Sequence, residues 1–368
     1  MSNLLDNINE TLLMGPGPSS VSPKVYRALH KPTIGHLDPQ FLEIMDHIKV
    51  MLRKLFKTDN ELTLPISGTG SAAMESCFVN LIEEQDSILI IENGYFGSRM
   101  IDMATRLSNN VDTIRFDWGQ AVDTNILENK LKQKKYDIVA VVHAETSTGV
   151  LNPIEKISTL ISNDTLFIVD TVTSLGTVDV NADKWNADAI YSCSQKGLSC
   201  PPGASPVSFS SNAINKLTNR KSKVPNWYLD LSMIIKYWGG ESRVYHHTAP
   251  INMMYALYQG LLNVIEEGSE NVIKRHFQTY NALSSELDKL GISFLVDENY
   301  RIPSLSSVII PNGINDQKVR TTLLKDYNIE IGGGLGPFAG KIWRIGLMGH
   351  TARQENVDRL SNALSSIL

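Results

Sequence analysis

Short apolar runs alternate with amphipathic stretches through the first two-thirds of the chain. The runs predict strands at LTLPIS (62–67), SILIIE (87–92), DTIRFD (112–117), DIVAVVHAE (137–145), TLFIVD (165–170), AIYSCS (189–194) and SPVSFS (205–210). Several are apolar throughout, as strands buried on both faces are. Between them, AAMESCFVNLIE (72–83), GSRMIDMATRLS (97–108) and TNILENKLKQKK (124–135) repeat apolar residues at helical spacing. Such alternation predicts an α/β architecture, a mostly parallel sheet covered by helices.

The pattern then changes. Long helices are predicted over 253–268 and 270–291, short strands at SFLV (293–296) and LSSVIIP (305–311), and helices over 316–327 and 355–368. The division this predicts is an N-terminal arm over 1–20, a large domain over 21–266 and a smaller C-terminal α+β domain over 267–368. The arm ends in MGPGPSS, too rich in Pro and Gly for a regular element.

Composition narrows the function. The 368 residues carry 34 Lys+Arg against 39 Asp+Glu, a net charge of -5, so no basic excess attracts nucleic acid. No segment reaches the length of an apolar membrane span, and the start MSNLLDNINE does not read as a signal peptide. Three cysteines, Cys77, Cys193 and Cys200, with no C-x-x-C pair, fit a reducing cytoplasm and neither a disulfide framework nor a zinc site.

In an open parallel sheet, ligands bind beyond the carboxyl ends of the strands. Three motifs fall there. SGTGSAAMES (67–76) joins a strand to a helix, and the amides of Thr69, Gly70 and Ser71 at a helix start favour a phosphate. Its ordinary reading is a turn; it also mimics a dinucleotide fingerprint, although not on a first strand. Asp170 ends the run FIVD. Its ordinary role is a helix cap, and its chemical one is to face a cationic ring nitrogen. Lys196, in SQKGLSCPPG (194–203), follows an apolar run and precedes a glycine, a poor place for a solvated lysine. A phosphate cradle, a carboxylate and a lysine are the parts needed to hold pyridoxal 5'-phosphate. The lysine links to the cofactor and moves a substrate proton.

With these motifs the sequence resembles the class V aminotransferases of fold type I, in particular the alanine–glyoxylate and serine–pyruvate group. The likeness runs from LLMGPGPSSVSP (12–23) to KIWRIGLMGH (341–350), through SGTGSAAMES, ENGYFGSR, ETSTGVLNP, VDTVTSLG, SQKGLSCPPG, YHHTAP and GGLGPFAGKIWRIG. The resemblance implies that Lys196 carries the cofactor and that Asp170 pairs with its ring nitrogen. Thr69, Gly70, Ser71 and Gln195 would hold its phosphate, and Thr146 its ring oxygen. Val172 and Phe96 would pack on the two faces of the ring. YHHTAP (245–250) reads first as a metal pair, but no third ligand stands at ligand spacing. The resemblance places this segment across a homodimer interface, with Tyr245 and Thr248 contacting the phosphate in the other subunit.

Arg344 is ordinarily half of an ion pair; its functional reading is a planar fork for the substrate α-carboxylate. Ser174 and the backbone around Gly15 would complete that pocket, and GGGLGPFAG (332–340) reads as a flexible approach to the arginine strand. The expected activity moves an amino group from alanine or serine to glyoxylate or pyruvate. Two alternatives remain open. A cysteine desulfurase needs a nucleophilic cysteine on a mobile loop near the C-terminal domain, yet all three cysteines lie at or before 200. A non-catalytic nucleotide-binding or subunit-like protein would rest on the Gly-rich loops alone.

Overall fold

All seven predicted strands of the first two-thirds join one sheet. The computed structural model describes residues 3–239 and 243–368. The strands are β1 (Leu62–Gly68), β2 (Ile88–Glu92), β3 (Val111–Arg115), β4 (Ile138–Val142), β5 (Leu166–Asp170), β6 (Ala189–Tyr191) and β7 (Gly203–Phe209). Their order is β1-β7-β6-β5-β4-β2-β3. All pairings are parallel except those of β7, which runs antiparallel to both β1 and β6. Residues 88–91 of β2 and 138–142 of β4 are buried along their whole length, which is why these runs carry no polar alternation.

The helix Gly70–Leu81 packs on β1, β6 and β7, and the helix Pro39–Phe56 on β1 and β7. The latter was not among the expected elements. Asp38 caps it by accepting from Gln40 N, Pro39 opens it, and Phe41, Met45, Ile48, Leu52 and Leu55 form its buried stripe.

Two strand expectations need correction. DIVAVVHAE is not one strand. The sheet ladder ends at Val142, and Ala144–Glu145 pairs with Val150–Leu151 instead, because the TSTG turn folds the chain straight back. SFLV is reduced to a single bridge between Phe294 and Val308 before the turn at Asp297 begins. GGGLGPFAG is also more regular than a flexible approach. Gly332–Gly333 pairs with the strand Ile342–Gly346, Gly332 opposite Arg344, and Leu305–Ile309 pairs along the other edge.

Two large hydrophobic cores result, with a small third cluster of Ala144, Ile302, Leu305 and Met348. The first holds the sheet and runs from Val25 to Val272. The second gathers Leu283, Leu287, Val308, Trp343 and Leu360, together with Met14 from the start of the chain. The helix Ser269–Lys289 reaches both, through Val272 and then through Leu283 and Leu287. The arm is stitched down where Leu12–Leu13 pairs in parallel with Ile329–Glu330. Among the described residues no helix is long and apolar enough to cross a membrane.

Candidate active site

Lys196 lies on the loop between β6 and β7 and is buried. The N-terminal arm lies directly over it. Lys196 Nζ donates to the carbonyl of Pro16. Ser19 Oγ donates to Lys196 O at 2.7 Å, and Ser19 N donates to Gln195 O at 2.9 Å. Gly17 has φ +110°, and a Cβ there would stand 2.7 Å from both Cδ and Cε of Lys196, so only glycine allows this passage. Burial pulls the Lys196 ammonium below its ordinary range. Arg344 adds to the shift, while Cys193, Asp170 and Glu145 oppose it. A buried amine biased toward its neutral form is a nucleophile and a base.

Asp170 ends β5, and its Oδ1 accepts from Val172 N at 2.7 Å. No helix starts there, so its ordinary role as a helix cap does not apply. Burial pushes its carboxyl up to about 7, and Glu145 adds to this. The Val172 amide, the Tyr191 hydroxyl and Lys196 work the other way. The Tyr191 hydroxyl itself is buried without a partner at hydrogen-bond distance. Among the described residues no ion pair within 4.0 Å reaches Asp170. A buried carboxyl without a counter-cation is costly to ionise. It fits a site whose cation arrives with a ligand.

The helix Gly70–Leu81 starts beside them with Thr69 in extended conformation, and no side chain caps it. A Cβ on Gly70 would stand 3.1 Å from Cys193 Cβ and 3.3 Å from Val172 Cγ2. The helix start therefore packs closely against Val172 and Cys193, just beyond the ends of β5 and β6. An uncapped helix start of this kind suits an anion. The Oε1 atom of Gln195 is buried nearby without a partner.

Thr69, Gly70, Ser71, Phe96, Asp170, Val172, Gln195 and Lys196 all line one cavity of about 260 Å³. Gly17, Pro18, Met74, Arg99 and Pro202 join them, and none of these five was a candidate from sequence. Larger hollows of about 450 and 560 Å³ lie elsewhere and hold neither Asp170 nor Lys196. Thr146 and Ser174 are buried outside the cavity lining, the Ser174 hydroxyl without a partner. Arg344 is buried too. Its Nε donates to Gly333 O at 2.8 Å and its Nη1 to Thr146 O at 3.2 Å. Nη2 makes no hydrogen bond among the described residues. Gly15 lies close to Gly332 and Gly346, the latter at the end of the arginine strand.

Tyr245 and Thr248 stand apart from this cavity on the surface of the subunit, 3.3 Å from each other through their hydroxyls. Between them, His246 and His247 form a relay. His246 Nε2 lies 3.2 Å from Trp227 O, and a carbonyl only accepts, so this nitrogen carries the proton. In neutral rings His246 Nδ1 then accepts from His247 Nδ1 at 2.7 Å, and His247 Nε2 accepts from Ser67 Oγ at 2.7 Å. The pair thus anchors its segment to Ser67, two residues before Thr69.

Glu145 was missed as well. It is fully buried, yet its carboxylate accepts from Phe96 N and Gly97 N at 3.1 and 3.3 Å, and from Ser147 N and Oγ at 3.0 and 2.6 Å. It thereby sets the start of the helix Tyr95–Thr105 that carries Phe96. An acid closing an apolar run was the available signal.

The family model described as "Aminotransferase class-V" matches residues 21–360. The chain belongs to the class V aminotransferases. The alanine–glyoxylate aminotransferase of Mus musculus is 39% identical over 361 residues, 97% of this chain and 87% of that protein. The (S)-ureidoglycine–glyoxylate transaminase of Bacillus subtilis is 36% identical over 375 residues, 97% of this chain and 90% of that one. The crystal structure of an alanine–glyoxylate aminotransferase from Nostoc sp. superposes with a TM-score of 0.96 at 48% identity, covering 98% of this chain and 96% of that one. The fold is accordingly that of the fold-type-I aminotransferases. A desulfurase reading finds no support in the cysteines of this aminotransferase. All three are buried, and burial raises each thiol, that of Cys193 up to about 12.

Proposed function

We propose that this aminotransferase uses pyridoxal 5'-phosphate to move an amino group from a small amino acid, alanine or serine, to a small 2-oxo acid, glyoxylate or pyruvate. The observation that carries the cofactor reading is the buried, cation-free Asp170 sharing one cavity with buried Lys196 and an uncapped helix start. The substrate choice rests on the relatives whose names contain alanine and glyoxylate.

When bound, pyridoxal phosphate supplies an electron sink for the substrate carbon that bears the amino group. The chain's residues do the rest. Asp170 would hold the proton on the cofactor's ring nitrogen by its negative charge. Lys196 Nζ would hold the cofactor and, as a free neutral amine, would take the proton from the substrate α-carbon. Thr69, Gly70, Ser71 and Gln195 would hold its phosphate, Val172 and Phe96 would pack on its ring, and Thr146 would reach its ring oxygen. Arg344 offers its unengaged Nη2 and the second N–H of Nη1 to the substrate carboxylate, with Ser174 and the backbone at Gly15 beside it.

The surface position of Tyr245 and Thr248 supports a homodimer in which they complete the partner's phosphate site. The two cores support residues 1–20 as an arm, 21–266 as the cofactor-binding domain and 267–368 as a small domain. Three unpaired cysteines support a cytoplasmic location.

The test is a matrix of half-reactions followed by cofactor absorbance. Alanine or serine converts the cofactor to its amine form, and glyoxylate or pyruvate restores it. Fast conversion by glutamate with alanine and serine both inert refutes the substrate assignment. Lys196→Ala should fold and lack turnover; near-normal multiple turnover in it refutes the role of the lysine.

A further inference from the structure

We propose that Arg99 is a phosphate-binding residue of this enzyme, a role that rests on the cofactor reading above. Arg99 lies three residues after Phe96 on the helix Tyr95–Thr105, hence on the same face. Its guanidinium carbon stands 4.9 Å from the Phe96 ring centroid and 5.4 Å from that of Tyr95. Its Nη1 donates to Ser71 Oγ at 2.9 Å. It lines the cavity at the end formed by Thr69, Gly70 and Ser71.

The charge of Arg99 is unanswered. Arg106, Arg115, Arg243, Arg275 and Arg320 each pair with a carboxylate. Among the described residues Arg99 has no carboxylate within 4.0 Å, only a neutral hydroxyl and two aromatic faces. Its Nε and Nη2 make no hydrogen bond there. A half-buried cation in this state is poorly compensated until an anion arrives.

The contact with Ser71 fixes a direction. Because the guanidinium donates to Ser71 Oγ, the hydroxyl must send its own proton elsewhere. Ser71 itself stands in the first turn of the helix Gly70–Leu81. Arg99 thus orients Ser71 as a donor toward an anion seated on the first amides of Gly70–Leu81, and adds its positive charge to the helix dipole. Arg344 is held elsewhere by Gly333 and Thr146, so the two arginines serve different anions.

The experiment compares the unaltered holoenzyme with Arg99→Gln and Arg99→Lys. Cofactor is removed and re-added, and affinity is measured by absorbance for pyridoxal phosphate and for pyridoxal, which lacks the phosphate. Arg99→Gln is expected to weaken pyridoxal phosphate about ten- to a hundred-fold, the size of one charge-assisted hydrogen bond, with pyridoxal changed less than about threefold. Arg99→Lys falls between, because it keeps the charge and loses the plane. It decides the matter if Arg99→Gln does not fold. Equal weakening of both ligands would show that Arg99 only props Phe96 and overturns the proposal. So does unchanged binding of both, or a selective loss of reactivity toward glutamate with cofactor affinity intact, which would make Arg99 a substrate-carboxylate site. If the unaltered protein takes up no pyridoxal phosphate, the cofactor reading itself falls, an outcome distinct from these.

Discussion

Consider Asp170→Asn in the protein freed of cofactor. The folded carboxyl titrates at about 7, against 3.8 for an ordinary aspartate. Between these values the folded chain keeps a proton that the unfolded chain has released. Stability from this group therefore falls as pH rises from about 4 to about 7. A gap of about three pH units amounts to roughly 4 kcal/mol lost above pH 7, as an upper figure. Asparagine escapes that loss. Its Oδ1 still accepts from Val172 N, but its amide brings buried donors, and an unsatisfied one costs about 1–3 kcal/mol. The cofactor-free variant should thus be more stable than the parent by about 1–3 kcal/mol near pH 8, and less stable by a similar amount near pH 4. Urea unfolding at equal protomer concentration measures both. A parent-to-variant difference that stays constant across this range refutes the burial argument. The same variant should transaminate slowly, because a neutral amide does not hold the proton on the ring nitrogen. Stability and function then pull in opposite directions at one residue.

Three further outcomes follow from the geometry. Arg344→Lys keeps the charge and loses the fork, so catalytic efficiency should drop roughly ten- to a hundred-fold for donors and acceptors alike; steady-state rates over a substrate panel check this, and a drop confined to one substrate counts against a shared carboxylate site. Mixing Lys196→Ala subunits with subunits altered at both Tyr245 and Thr248 should restore activity, since the mixed dimer holds one site with neither defect; no rescue under conditions where subunits exchange rules out the intersubunit role. Glu145→Gln should lower stability by about 3 kcal/mol, because one oxygen that accepts from two donors becomes a donor itself; a urea midpoint within error of the parent refutes its role at the helix start.

Local pattern determined a great deal about this protein. The central strands were legible because a strand buried on both faces must be apolar along its length, as residues 88–91 and 138–142 are. Lys196, Asp170 and Thr69–Ser71 were legible for a related reason: strand ends concentrate the ligand chemistry of an open parallel sheet. The helix Pro39–Phe56 went unread although Asp38-Pro39 and its apolar stripe announce it locally.

Other features belong to the tertiary structure alone. The direction of β7 leaves no trace in its own residues, since either direction buries the same side chains. The break at His143 depends on Ala144–Glu145 finding a nearer partner across the TSTG turn. Arg99 reads as surface charge until the fold brings Ser71, 28 positions away, to its guanidinium. Pro16 closes over Lys196 from 180 positions away. A hydrophobic pattern is set by which face of one element meets the core, so it is written locally. A hydrogen bond or a cavity wall is set by which distant element arrives opposite, and only packing of the whole chain decides that.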